Sequence, residues 1–148
     1  MQVFDASSMI YAWDNYPVRQ FPPLWEWMAG QIEEVENKTS DCAEWLKDND
    51  LERLEVSNVI MQDAMRTKGL LGIVGDKYHA NGVGENDLLI IATARAHRAE
   101  LVSDEKKQIT LPKEPAKRKI PVVCGMNEVA VLCINFLDYI KRSDEIFR

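Results

Sequence analysis

Gln2-Val3-Phe4-Asp5-Ala6-Ser7-Ser8 is the stretch that decides the fold. A short apolar run ends in one carboxylate, and small hydroxyl residues and a helical pattern follow at once. A buried strand that delivers an acid at its C-terminal end is how an open α/β sheet places chemistry in the crevice beyond its strand ends. One terminal aspartate carries little by itself. What matters is whether acids from later in the chain reach the same edge.

Outward from this strand, residues 7–16 read as a short helix with Ser7 as its N-cap. Pro17 and Phe21-Pro22-Pro23 break it. A second helix is expected from Pro22-Pro23, since proline suits a first turn. In it Trp25, Met28, Ile32 and Val35 recur at helical spacing, while Glu26, Glu33 and Glu36 lie off the stripe. Asp41 with Glu44 forms a capping-box-like start to a short face of Cys42, Trp45 and Leu46. Trp25, Trp27 and Trp45 read as core filling. Leu51 to Val56 is ambiguous. Ser57 caps a helix carrying Ile60, Met61, Ala64 and Met65 that closes near Gly69. Residues 72–84 form a long surface connection. Its Gly82-Val83-Gly84 lacks the Gly-Lys-Ser/Thr that a phosphate loop requires.

Glu85-Asn86-Asp87 opens the clearest helix, apolar around most of its first three turns and ending near Glu100. Leu101-Val102 is a short buried strand followed by Ser103-Asp104-Glu105. A charged, proline-containing loop leads to Ile120-Pro121-Val122-Val123, expected as another strand. The last helix is expected from Asn127, packing Val129, Leu132, Phe136 and Tyr139, with a polar tail at 143–148. Short apolar strands alternating with helices argue for a three-layer α/β/α sandwich with a mostly parallel sheet, in a single domain spanning 1–142.

The chain has 148 residues, enough for one domain with a sizeable core. Apolar residues at 46% and charged residues at 28% fit an ordinary globular protein. Nothing approaches the apolar run of a membrane-spanning helix, so no membrane partner is expected. The N-terminus enters the strand without a basic n-region or an apolar h-region. Three cysteines are too scattered for a disulfide framework, and Cys124 and Cys133 read as small core residues. A cytoplasmic address is therefore expected. His79 and His97 have no partner at zinc-site spacing.

The net charge of −6 argues against a non-specific nucleic-acid binder, which is usually basic. It leaves a nuclease open, because acids gathered for divalent metals inflate the count. Positive charge is concentrated in Lys106, Lys107, Lys113, Lys117, Arg118 and Lys119, all within fourteen residues. Alone this is a solvated loop. It gains weight from the acids beside it.

Those acids share one logic. Asp5 ends the first strand, Asp87 starts a helix, and Asp104 and Glu105 follow the strand Leu101-Val102. In a parallel α/β sheet all three places lie on the same edge. Singly, Asp5 has a plain reading as a turn residue, Asp87 as a helix cap, and Asp104-Glu105 as a solvated turn. Together they repel one another and raise one another's pKa unless a cation joins them. Mg2+ or Mn2+ is the natural cation for such oxygen ligands. It would activate water and neutralise charge on a phosphodiester.

At this level of detail the chain resembles the PIN-domain family, close to a PIN-like group of bacterial and archaeal proteins catalogued as a domain of unknown function. Val3-Phe4-Asp5-Ala6-Ser7-Ser8 is similar to the PIN start, an aspartate followed two residues later by a hydroxyl. Asn86-Asp87-Leu88-Leu89-Ile90-Ile91-Ala92 resembles the helix that begins with the third acid. Leu101-Val102-Ser103-Asp104-Glu105 resembles the strand ending in Thr-x-Asp, which matches Ser103 to the hydroxyl and Glu105 to the fourth acid. Lys119 to Cys124 and Phe21 to Glu26 also resemble the family. The resemblance covers nearly the whole chain.

It implies a Mg2+- or Mn2+-dependent endoribonuclease, often the toxin of a toxin–antitoxin pair. An RNA substrate, an antitoxin partner and a homodimer go with that role. The implied acids are Asp5, Glu34, Asp87 and Glu105, with Asp5, Asp87, Glu105 and Asp104 as metal ligands. Ser7 and Ser103 would orient them, and Lys106 and Lys107 would hold the RNA backbone. The family's second acid precedes a hydrophobic residue at a helix start, as Glu34-Val35 does. The run from Met28 to Glu34 leaves no room for the family's intervening strand, so the second strand is expected to be missing or shortened. Glu33 and Glu36 rival Glu34 for the role.

Two other functions compete. A phosphatase of the haloacid-dehalogenase type also starts with a strand ending in aspartate, but needs a second acid where this chain has Ser7. A degenerate PIN scaffold would bind RNA or a protein partner without catalysis.

Overall fold

The computed structural model describes residues 2–16, 19–20 and 56–143. Among them three strands form a parallel sheet in chain order: β1 (Gln2–Phe4), β2 (Glu100–Val102) and β3 (Cys133–Ile134). Val3 lies opposite Leu101, which lies opposite Cys133. Parallel neighbours need long crossovers. Between β1 and β2 the described residues form α1 (Ala6–Asn15), α2 (Asn58–Leu70) and α3 (Glu85–Ala96). Between β2 and β3 come a 3-10 turn (Pro115–Lys117) and α4 (Ile120–Cys124), and α5 (Phe136–Ser143) closes the order.

Alternation along the strands divides the core into two layers. Val3 and Leu101 face one way and join Ile60, Leu88, Ile91, Ala94 and Val123. Phe4 faces the other way, where its ring meets Tyr139 edge-on at 5.1 Å. Phe136 packs there against Tyr11 and Tyr16. Helices therefore cover both faces, which is the expected three-layer α/β/α arrangement. Burying both faces suits the continuous apolar runs Val3-Phe4 and Leu101-Val102. A fully buried Phe4 or Phe136 contributes about 1.5–3 kcal/mol relative to exposure.

Two helices form as their sequences indicate. Ser57 caps α2, its side chain accepting from the Ile60 N–H at 3.3 Å. Helix α3 buries Leu88 and Ile90 through Ala94, so it is a central element apolar around most of its surface. Asp63 of α2 ties the two together, meeting Arg66 at 2.9 Å and Arg95 of α3 at 2.7 Å. Arg95 Nε also donates to the Val129 carbonyl at 3.1 Å, which fixes the turn before β3.

Four local expectations are corrected. Asp5, not Ser7, occupies the N-cap of α1, and its side chain makes no cap. The carboxylate instead accepts from the Ser7 and Ser103 hydroxyls. Helix α3 stops at Ala96 rather than near Glu100. Arg98 turns left-handed (φ 52°), and the Ala99 N–H bonds the Ala94 carbonyl, which frees Glu100 for β2. Ile120 to Val123 is the helix α4, not a strand. Pro121, with a preset φ and no N–H, suits a first helical turn and not a central strand. The third strand lies instead at Cys133–Ile134, inside the segment expected as the last helix. Ala130 at φ 52° breaks any helix from Asn127, Leu132 is 55% exposed rather than packed, and α5 begins only at Phe136.

The expected helix of Trp25, Met28, Ile32 and Val35, the face of Cys42, Trp45 and Leu46, the second strand, and Glu34 with its rivals Glu33 and Glu36 lie outside the described residues. Among the described residues no helix is long and apolar enough to cross a membrane.

Candidate active site

The C-terminal edge of the sheet is built around Asp5, which is 4% exposed. Its N–H extends the ladder to the Val102 carbonyl at 2.9 Å, and the Ser103 N–H does the same to Ile134 at 2.9 Å. Two residues that directly follow strands therefore sit side by side. Ser103 Oγ donates to Asp5 Oδ2 at 3.0 Å, and Ser7 Oγ donates to the same oxygen. A hydroxyl that donates once can still accept. Ser7 Oγ accepts from the Asp104 N–H at 3.0 Å, and Ser103 Oγ accepts from the Glu105 N–H at 3.4 Å. The first turn of α1 and the turn after β2 are thus locked onto one carboxylate. Ser8 adds to the lock, donating to the Asp5 and Val102 carbonyls at 2.7 and 3.0 Å.

Asp87 enters from α3. It stands in the first turn, where the helix dipole favours a negative charge. Its Oδ2 accepts from the Gly84 N–H at 2.8 Å. Asp104 and Glu105 are each tied to a helix start. Asp104 Oδ1 accepts from the Phe136 N–H at 3.5 Å, and Glu105 Oε2 accepts from the Ile120 N–H at 3.1 Å.

Burial and like charge disfavour ionisation of this pair. Desolvation raises the Asp104 carboxyl above its ordinary range; the Phe136 N–H opposes this, and the Asp5 charge adds to the rise. Desolvation also raises Glu105, with Asp87 and Asp5 adding to it and the Ile120 N–H and Lys119 opposing. Glu105 therefore feels both of the other acids. Asp104 Oδ2 is buried with no hydrogen-bond partner among the described residues.

The donors at this edge are carboxylate and hydroxyl oxygens, which fit a hard divalent cation. Among the described residues no three His, Cys, Asp or Glu side chains lie close enough to hold one ion together. Mg2+ commonly keeps several waters and uses only one or two carboxylates, so the donor chemistry at this edge, though not a closed ligand cage, fits such an ion.

Of the residues singled out by sequence, the structure gathers Asp5, Ser7, Asp87, Ser103, Asp104 and Glu105 at one edge. Lys106 and Lys107 are exposed directly after Glu105. His79 and His97 stand elsewhere: His79 Nδ1 accepts from the Asn81 N–H at 3.1 Å, and His97 is exposed at the end of α3. Cys124 is buried and Cys133 half-buried, and the two thiols are neighbours that influence each other's ionisation. That contact and burial push the Cys124 thiol up, while the same contact lowers Cys133.

Sequence reasoning missed the N–H groups of Gly84, Ile120 and Phe136, and also Gln108. Backbone donors leave no trace in residue type. Gln108 lay inside a charged run where nothing distinguished it.

A three-layer α/β/α sandwich with acids collected at one end of a parallel sheet is a PIN-like fold. The chain belongs to the family described as Domain of unknown function (DUF4411), whose model matches residues 2–147. Among solved structures it is similar to VapBC2 from Rickettsia felis bound to a DNA fragment from their promoter. The TM-score is 0.52 and the identity 17%, over 91% of this chain and 98% of that one, so the likeness is one of fold. No curated protein matches the sequence.

Proposed function

We propose that this protein is a Mg2+- or Mn2+-dependent endoribonuclease, acting in the cytoplasm as the toxin of a toxin–antitoxin pair. One observation carries the reading: a buried Asp5 at the end of β1 accepts from both the Ser7 and Ser103 hydroxyls, and Ser103 Oγ in turn accepts from the N–H of Glu105. Bound metal would supply an activated water and neutralise charge on the phosphodiester. Asp5, Asp87 and Glu105 would bind one or two ions whose remaining positions water fills, Asp104 would assist, and Glu34 is the remaining acid of the set. Ser7 and Ser103 hold the Asp5 carboxylate in one orientation, and Lys106 and Lys107 hold the RNA backbone. In this role the protein would pair with an antitoxin and act as a homodimer.

A second reading is a PIN scaffold that binds RNA or protein without catalysis. It is favoured by the spacing of the described acids, no three of which already converge on one point. Purified protein incubated with single-stranded RNA and Mn2+ separates the two. Cleavage that disappears in Asp5→Asn and in Asp87→Asn supports the nuclease. RNA binding without cleavage at any divalent metal concentration supports the scaffold, and turnover of a small phosphomonoester instead would point to a phosphatase.

A further inference from the structure

The segment after Glu105 is more than a solvated connection. Residues 106–119 hold six cations and one acid, in a chain whose net charge is −6. The surface beside the candidate acids therefore attracts an anion that the rest of the protein repels.

The segment is also held in place at several points. The Glu105 carboxylate and the Ile120 N–H close its base at 3.1 Å. Gln108 bridges the loop from inside: its Nε2 donates to the Lys117 carbonyl at 2.9 Å and its Oε1 accepts from the Lys119 N–H at 2.8 Å. The Val83 N–H donates to the Arg118 carbonyl at 3.0 Å. Gly82 lets the loop lie against the connection before α3, since a Cβ there would stand 1.8 Å from the Ala116 carbonyl oxygen. Lys117 pairs with Glu114 at 3.0 Å.

On this braced loop two large aliphatic side chains point into solvent. Ile109 is 103% exposed and Leu111 58%. They are flanked by Lys106 and Lys107 on one side and Lys113 on the other. The cations match a charged backbone, and the exposed aliphatic side chains offer apolar, van der Waals contact to accessible base faces. A duplex hides those faces, and single-stranded RNA presents them.

We infer that the 106–119 loop is a pre-formed ridge for single-stranded RNA, with Ile109 and Leu111 under the bases and Lys106, Lys107 and Lys113 on the phosphates. This deepens the ribonuclease reading and rests on it for the choice of RNA. Because the bracing contacts form without ligand, little ordering cost remains for binding.

The test is anisotropy of a fluorescein-labelled single-stranded RNA, and of the same RNA annealed to its complement, with the full protein in EDTA so that no cleavage intervenes. The doubly substituted Ile109→Ser, Leu111→Ser protein should bind the single strand about tenfold more weakly, the loss of apolar contact with the base faces. Duplex binding and the melting temperature should not change. Lys106→Ala and Lys107→Ala should each flatten the salt dependence of single-strand binding, by a slope of about 0.7 per contact. Unchanged single-strand affinity in the serine variant overturns the ridge. So does equal weakening for duplex, which would leave only electrostatic capture, or a defect confined to binding a protein partner. RNA binding that depends on the loop in a protein that never cleaves RNA would overturn the nuclease reading and keep the ridge. Cleavage that ignores the loop would do the reverse.

Discussion

Ser103 Oγ reaches Asp5 Oδ2 at 3.0 Å across 98 residues of chain, joining the ends of two parallel strands through one buried carboxylate. The serine also accepts from the Glu105 N–H, so a single hydroxyl orients one acid and positions the backbone of another. Ser103→Ala should cost about 1.5–3 kcal/mol in urea unfolding, the worth of a hydrogen bond to a charged group. RNA cleavage should fall roughly 10–100-fold, as when an outer partner of a metal ligand is lost. A variant with wild-type stability would show that the bond is not made.

Asp87 has a structural task and a proposed chemical one, and two substitutions separate them. Its Oδ2 accepts from the Gly84 N–H, and its charge raises Glu105. Asp87→Asn keeps an acceptor and removes the charge, so the fold should stand while cleavage is lost. Asp87→Ala removes both, and should in addition lower stability by about 0.5–2 kcal/mol, the cost of a lost cap. Thermal melts of the two variants beside an RNA cleavage assay give the comparison. Full activity in Asp87→Asn would remove Asp87 from the proposed chemistry.

Stability should depend on pH in a direction set by Asp104 and Glu105. Both have folded-state pKa values raised from 3.8 and 4.5. The folded protein thus keeps protons that the unfolded chain has already released. Between the ordinary and the raised values stability falls as pH rises; below that window both states are protonated, and above it both are ionised. In EDTA the melting temperature should therefore drop on leaving the ordinary carboxylate range toward neutrality. Mn2+ at neutral pH should raise it, by about 2.7 kcal/mol of stability at one hundred times the dissociation constant, and should do little in acid. Calorimetry across pH with and without metal checks this. A melting temperature indifferent to Mn2+ at neutral pH would count against a metal at this edge.

The elements that were legible in the sequence are those whose pattern admits one reading. Val3-Phe4-Asp5 and Leu101-Val102 are apolar runs that stop at acids. Helix α2 announces itself by Ser57, and α3 by three turns of apolar surface. The C-terminal third was misread because short apolar runs do not separate strand from helix by period. Ile120-Pro121-Val122-Val123 and Val131-Leu132-Cys133-Ile134 are equally apolar, and the proline was the clue that the first is helical. The gathering of acids was legible because strand ends and helix starts of a parallel sheet share an edge. How each acid is held was not, since Gly84, Ile120 and Phe136 contribute only backbone N–H groups.

Asp104 and Glu105 are neighbours with different duties, and their substitutions should diverge. Glu105 feels both Asp5 and Asp87, whereas among the described residues Asp5 is the acid that raises Asp104, whose Oδ1 accepts from the N–H at the start of α5. Glu105→Gln retains a carbonyl oxygen for the Ile120 N–H, so α4 and the loop before it should hold. The lost charge should nonetheless reduce cleavage at least about 100-fold, beyond the effect of losing an outer partner. Asp104→Asn keeps an acceptor for the Phe136 N–H, and its amide takes the place of an Oδ2 that has no hydrogen-bond partner among the described residues. It also removes a charge whose burial is unfavourable, so the metal-free protein should melt higher at neutral pH, and cleavage should fall by less than in Glu105→Gln. Titration of Mn2+ by calorimetry gives a readout independent of turnover: Glu105→Gln should weaken binding more than Asp104→Asn. The opposite order would transfer the fourth acidic position from Glu105 to Asp104.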